Sequence, residues 1–564
     1  MKRISEIKDM QREFKAAHQK FAKDEDGAVL IFALFLFVLM VMMGGLAVDL
    51  MRYETTRTTL QNTLDRSTLA ASSLSQTLDP TSVVQDYFTK AGVAEYLTSV
   101  DVQTGLNFRS VQANALADAK PLFLHMLGIN ELKAPGMAKA EQRINNVEVM
   151  LVLDVSGSMA GTKITNLKSS AAEFVSTVLL SDADDRISVG LVPYNGQVNL
   201  GPTLAAKYNV TVPTGVANTE CVDLPASVYS GTGMSRTLAL PTTAYADTFS
   251  SISQTTSYVA PTSGAPVSTN RWCPPSSANA VRAPNNNIAN LQSAINGMQA
   301  VGATSINAGL KWGLTLLDPG TRPVFAELAS SGAIPSVFGL RPFEYSDPEA
   351  MKVIVLMTDG EHFAEERVND AYKSGMSPIF KGSDGNYSIR HTSGRPAAAG
   401  TNEYFVPHLC VSTNCMNGSN TAEAWRAAKW SNGTQQTWPQ VWTDLRVKYV
   451  AWQMYERALG NSGNRGTTYN TWVANFRSLT ATGDMDNQLQ AICAMAKSKP
   501  NITIYGIAFD APTPGQQQIK MCTSGYDAAN PSAENPFFFA SSPANIKTAF
   551  RAIATNITQL RLTQ

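Results

Sequence analysis

The sequence predicts an α/β protein: a doubly wound, mostly parallel sheet with two long insertions, preceded by a single transmembrane helix, a helical stalk and a small α+β module. Three observations predict it. Residues 28–48, "AVLIFALFLFVLMVMMGGLAV", are uncharged and apolar, long enough to cross a bilayer as a helix. From residue 146 onward, apolar strand-like runs alternate with helical patterns, the rhythm of a sheet covered on both faces. Two of those strands end on aspartates, Asp154 and Asp359, with hydroxyl residues beside them.

The N-terminal elements come first. Lys2, Arg3, Lys8, Arg12, Lys15, Lys20 and Lys23 precede the span, so the positive-inside rule keeps residues 1–27 cytoplasmic and exports everything after Asp49. A cleaved signal peptide would carry a shorter apolar region and a small-residue cleavage site, so residues 28–48 read as a signal anchor. Leu50, Tyr53, Arg57, Leu60, Leu64, Ser67, Ala71, Leu74 and Leu78 follow at alternating three- and four-residue steps. That stripe extends the helix outward as a stalk over 49–79. It serves either to pack on the chain's own next module or to self-associate as a bundle. Residues 80–145 read as a small linking module, with short strands around one helix at "KPLFLHMLGI".

Composition narrows the function classes. In 564 residues the 45 basic and 45 acidic side chains cancel, and no basic block stands out, which argues against nucleic acid as a partner. All six cysteines lie beyond the span, none in a CxxC pattern. An even count in an exported region favours disulfides over zinc, and the local pairs 221–273, 410–415 and 493–522 are the simplest connectivity.

Residues 146–560 carry the αβ repeat. "VEVMLVLD", "RISVGLVPYN", "KVIVLMTDG" and "ITIYGIAFD" read as strands; Lys163–Leu180, Ile288–Met298, Ile306–Leu317, "QLQAICAMAKSK" and Ala544–Leu560 read as helices. Two segments break the rhythm, about 197–285 and about 361–486, the second holding six of the eight tryptophans. Within it Trp442, Leu445, Tyr449 and Trp452 share a helical face, either as the insertion's own core or as a binding surface.

In a parallel αβ sheet, ligands collect beyond the carboxyl ends of the strands. Asp154 and Asp359 stand at such ends, and Thr304 of "GATSINAGL" lies in a loop just before a helix. Asp154, Ser156 and Ser158 alternate, so their side chains point one way while Gly157 permits the turn. Two carboxylates and several hydroxyls without His or Cys are hard-oxygen ligands, suited to Mg²⁺ first and to Mn²⁺ or Ca²⁺ as alternatives. They leave room for an acidic group from a partner.

"DVSGSM", "GATSINAGL" and "LMTDGE" together resemble the three metal-binding loops of the von Willebrand factor A domain. The resemblance implies a metal-ion-dependent adhesion site with Asp154, Ser156, Ser158, Thr304 and Asp359 as ligands, directly or through water. Further upstream, "DEDGAVLIFALFLFVLMVMMGGLAVDLMRYETTRTTLQNTLDRSTLAAS" resembles the TadE/TadG-like proteins of bacterial Flp (tight adherence) pilus systems. That likeness implies an inner-membrane, single-pass pilus-assembly or adhesion protein whose exported domain binds a protein partner. The alternative is an envelope adhesin or scaffold not tied to a pilus. Pseudopilin-like members carry Glu before the FAL of the span, where this chain has Ile31, so the helix is expected to stay an anchor. Enzymatic signatures are missing from the sequence: Ser156 is not in a nucleophile elbow, and the five histidines form no HExxH pattern.

Overall fold

The computed structural model describes residues 2–23, 26–73, 76–104, 108–143, 146–180, 182, 185–212, 220–263, 271–273, 277–410, 421–460, 466–530 and 535–558. The chain divides into two units, Met1–Arg143 and Ile144–Gln564.

In the first unit, α1 (Lys2–Phe21) precedes α2 (Asp26–Ser72), one continuous helix of 47 residues. The apolar side chains from Val29 to Met43 are exposed. Further along, Leu60, Leu64 and Ala71 are buried in the core of the unit's own antiparallel sheet. That sheet is a three-stranded meander of β1 (Leu97–Thr104), β2 (Phe108–Ala119) and β3 (Leu132–Arg143). Its helix-facing residues are small: Val111, Ala113, Ala115 and Ala117 alternate along β2, the period-two pattern of one buried face. Gly136 lets α2 approach closely, since a Cβ there would sit 2.7 Å from Leu64 Cδ1. The stalk stripe therefore packs on the chain's own module. The helix ends at Ser72 rather than near Asp79-Pro80, where α3 (Pro80–Lys90) starts instead, capped by Asp79 accepting the Ser82 N–H at 2.8 Å. Leu74 lies outside the described residues. "KPLFLHMLGI" forms only a 3₁₀ turn, Leu124–Leu127.

In the second unit a six-stranded sheet is built from β4 (Asn146–Asp154), β5 (Ile187–Tyr194), β6 (Arg282–Asn285), β7 (Ala350–Thr358), β8 (Ile502–Phe509) and β9 (Phe537–Ala540). The order is β9-β8-β7-β4-β5-β6. Five strands are parallel, and the edge strand β6 runs antiparallel to β5. The helices of the αβ repeat include α4 (Thr162–Leu180), α5 (Ile288–Gly297), α6 (Ile306–Leu317), α7 (Thr482–Lys497), α8 (Thr513–Cys522) and α9 (Pro543–Thr558). Met150, Val152, Ile354, Leu356 and Ile504 share a core with Leu310, Leu489 and Ile519 of α6, α7 and α8. The alternate residues Val149, Leu151, Val353 and Val355 are equally buried and point to the other face. This explains the unbroken apolar runs of these strands. On α4 and α9, Phe174 meets Phe550 edge-on at 5.9 Å.

The insertions add sheets of their own, so over the whole chain the α/β architecture is mixed. Residues 361–486 contain a five-stranded antiparallel sheet, in the order Trp425–Arg426, Tyr404–Phe405, Tyr387–Arg390, Met376–Lys381 and Thr434–Thr437. Trp442, Leu445, Tyr449 and Trp452 are buried in this insertion's core. Where this segment enters and leaves, Glu365–Val368 pairs with Arg477–Thr480 as a two-stranded antiparallel ribbon. The disulfides Cys221–Cys273 and Cys493–Cys522 form as expected; Cys415 of the third pair lies outside the described residues.

Candidate metal centre

Parallel pairing brings the carboxyl ends of β4 and β7 side by side, because Leu153 is in register with Met357. Asp154 ends β4 and Asp359 follows β7 directly. Both are buried. The loop after β4 is pinned to the loop before α6: the Gly157 N–H donates to the Gly302 carbonyl at 2.9 Å, and the Val301 N–H to the Val155 carbonyl at 2.9 Å. Gly302 has φ +85°, a left-handed conformation that favours glycine.

Four of the five expected side chains are joined by hydrogen bonds. Asp154 Oδ1 accepts the Ser156 N–H at 2.8 Å, and Asp154 Oδ2 accepts the Thr358 hydroxyl at 2.7 Å. The Ser156 and Ser158 hydroxyls lie 2.9 Å apart, and Ser158 donates to Asp359 Oδ1 at 2.7 Å. Thr304 is buried alongside. Its carbonyl accepts the Phe363 N–H at 3.0 Å, and its hydroxyl lies 3.8 Å from where a Cβ on Gly360 would stand.

Sequence reasoning missed two charged neighbours. Lys163 donates to Asp359 Oδ2 at 2.9 Å and lies 3.3 Å from Asp510, which follows β8. Three adjacent strands thus lead into aspartates, and the ending of "ITIYGIAFD" carried that signal. Lys163 gives none by itself, because lysine in the first turn of a helix reads as surface. Burial pushes the Asp154 carboxyl above its ordinary range, and the charge of Asp359 pushes it the same way. Burial works to lower the Lys163 pKa, but hydrogen bonds and charges from Asp359 and Asp510 outweigh it and hold the ammonium above its usual value.

The donor chemistry fits a hard divalent cation. Neighbouring oxygens 2.7–2.9 Å apart match the roughly 3 Å spacing of adjacent ligands around an octahedral ion with metal–oxygen bonds of about 2.1 Å. Among the described residues no three His, Cys, Asp or Glu side chains form a metal-binding group, so hydroxyls would have to supply part of any ligand set here. His362 is turned away from this role. It is buried, its Nε2 accepts the Asn307 N–H at 3.2 Å, and its Nδ1 faces Asp486 at 2.7 Å.

Comparison with known proteins finds a family resemblance over one segment. Residues 27–73 match the putative Flp pilus-assembly TadE/G-like family. The match covers the apolar span and the helical stalk, and stops before the sheet-forming regions. No curated protein matches the chain. Among solved structures, the vWF domain of the type V pili tip protein Mfa5 from Porphyromonas gingivalis is 14% identical, over 74% of this chain and 96% of that one, at a TM-score of 0.27. The PilB minor pilin from Streptococcus sanguinis is 12% identical over 82% and 78%, at 0.29. The adhesive tip pilin GBS104 from Group B Streptococcus agalactiae is 12% identical over 73% and 100%, at 0.28. Likenesses of this size decide neither fold nor function.

Proposed function

We propose that this is a bacterial inner-membrane, single-pass protein of pilus assembly or adhesion. Its exported unit is a von Willebrand factor A-type domain that holds a protein partner through a divalent cation. The observation that carries the reading is the hydrogen-bonded run Asp154–Ser156–Ser158–Asp359 at the carboxyl ends of two central parallel strands. The TadE/G-like match at residues 27–73 supports the pilus context and the reading of this helix as an anchor.

Asp154, Ser156, Ser158, Thr304 and Asp359 would hold the ion, with Mg²⁺ preferred over Mn²⁺ or Ca²⁺ for a set this compact. When bound, the ion supplies a positive centre that attracts a carboxylate from the partner. The chain's own residues do the positioning: Thr358 and the Ser156 N–H orient Asp154, while Ser158 and Lys163 orient Asp359. Binding rather than catalysis is the reading, since the histidine nearest in sequence to Asp359, His362, is committed to Asn307 and Asp486.

The test is Asp154→Ala in the full chain. Wild type should melt higher in Mg²⁺ than in EDTA, by the linkage of binding to stability, and should retain its partner only with the ion. The variant should lose both responses. Identical wild-type melting in Mg²⁺, Ca²⁺ and EDTA, with partner retention indifferent to all three, sinks the proposal.

A further inference from the structure

Among the described residues from Val29 to Leu50, only Gly45 and Asp49 are buried. They lie one helical turn apart and so share a face of α2. A loop of the same unit covers that face. Asp49 accepts the N–H groups of Leu122, Phe123 and Leu124 at 2.8, 2.7 and 2.8 Å. The Phe123 ring lies against Gly45, where a Cβ would come within 2.5 Å of it.

With its backbone clamped there, the segment turns four large apolar side chains outward: Leu122 is 54% exposed, Met126 75%, Leu127 57% and Ile129 43%. Phe123, its ring packed on Gly45, stays 37% exposed beside them. Such a cluster on a short exposed turn marks an interaction surface. Its height identifies the partner. Gly45 lies three residues inside the end of the apolar span at Val48, roughly 5 Å along the helix axis. The cluster is therefore continuous with the exposed apolar surface of α2. Lys120, exposed at the start of the segment, stands where lipid phosphates would lie.

We propose that residues 121–129 form a second membrane contact, seated at the headgroup–acyl boundary of a phospholipid bilayer beside the helix. This rests on the reading that α2 crosses the bilayer at residues 28–48. Two elements clamped together at the interface resist tilt and rotation better than one helix.

Nitroxide labels on Met126→Cys and Leu127→Cys in the full chain, reconstituted in phosphatidylethanolamine/phosphatidylglycerol vesicles, test it. Leu36→Cys in the span and Asp101→Cys on β1 are references, and unsubstituted protein gives the labelling background. Collision with oxygen should exceed collision with a water-soluble nickel chelate at 126 and 127, as at Leu36, and the order should reverse at Asp101. If 126 and 127 read like Asp101 while Leu36 reads as lipid, the loop proposal fails and the span stands. If Leu36 itself reads as water, the span reading fails and takes the proposal with it. Shielding of 126 and 127 from both reagents would mean contact between copies, and that also overturns it.

Discussion

Lys163→Met probes the proposed centre most directly, because the ammonium holds the carboxylate that the proposed cation would share. The Asp359 side chain is wholly buried and that of Lys163 is 25% exposed. Breaking a fully buried pair costs about 3–5 kcal/mol and an exposed one about 0–1 kcal/mol. This intermediate pair should cost about 2–3 kcal/mol in ion-free protein. A divalent ion neutralises the same carboxylates, so under saturating Mg²⁺ the deficit should shrink to under about 1 kcal/mol. The difference of about 2 kcal/mol reappears as affinity, and the variant should bind Mg²⁺ roughly 30-fold tighter than wild type. Urea midpoints of the detergent-solubilised chain in EDTA and in Mg²⁺, with calorimetric Mg²⁺ titrations, measure both quantities. An equal deficit in the two media, with unchanged Mg²⁺ affinity, would show Lys163 to be a structural partner with no share in the centre.

Two further expectations concern the core of the long insertion and the loop that carries Asp359. His391 is buried, with Nε2 2.9 Å from the Met454 carbonyl, and burial pushes its pKa down to about 4 against that bond. The unfolded chain protonates near its ordinary value of about 6.5. Stability is therefore complete above that value and falls as pH drops from 6.5 toward 4, by up to about 3 kcal/mol. His391→Gln should flatten the pH dependence of the urea midpoint across that window, and an unchanged slope would refute the assignment. Gly515, on α8, is held against the Asp359 loop: a Cβ there would meet the Gly360 carbonyl oxygen at 2.0 Å. Both groups are backbone, so Gly515→Ala should cost about 1–3 kcal/mol and weaken Mg²⁺ binding about 10–100-fold. An unaltered Mg²⁺ titration would separate this contact from the site.

What the sequence made legible follows strand ends and periods. Asp154 and Asp359 could be placed because apolar runs buried on both faces declare parallel strands, and parallel strands put their carboxyl ends on one edge. Lys163 and Asp510 escaped because their roles depend on which strands become neighbours, and β8 adjoins β7 only through a long crossover. The edge strand Arg282–Asn285, "RAPN", is short, polar and contains proline, so it carries no strand period. "KPLFLHMLGI" has an apolar helical composition, yet Asp49 captures three successive N–H groups from it and holds it as a turn. The helical stripe at Trp442–Trp452 was readable as a core, but its interruption at Leu445 (φ −124°, ψ 140°) was not. The extended backbone there follows from packing inside the insertion.

The ribbon of Glu365–Val368 with Arg477–Thr480 has a consequence for how this protein can vary. It brings the two ends of the long insertion together six residues beyond Asp359, and Arg477 pairs with Glu366 across it. Loop-closure cost rises only slowly with length, and here the ends are already fastened. What lies between them is a cassette: it can be lengthened, shortened or exchanged while the frame behind it keeps its register. Changes between the two fastened ends can therefore remodel this side of the unit without rebuilding the carboxylate–hydroxyl cluster at the strand ends.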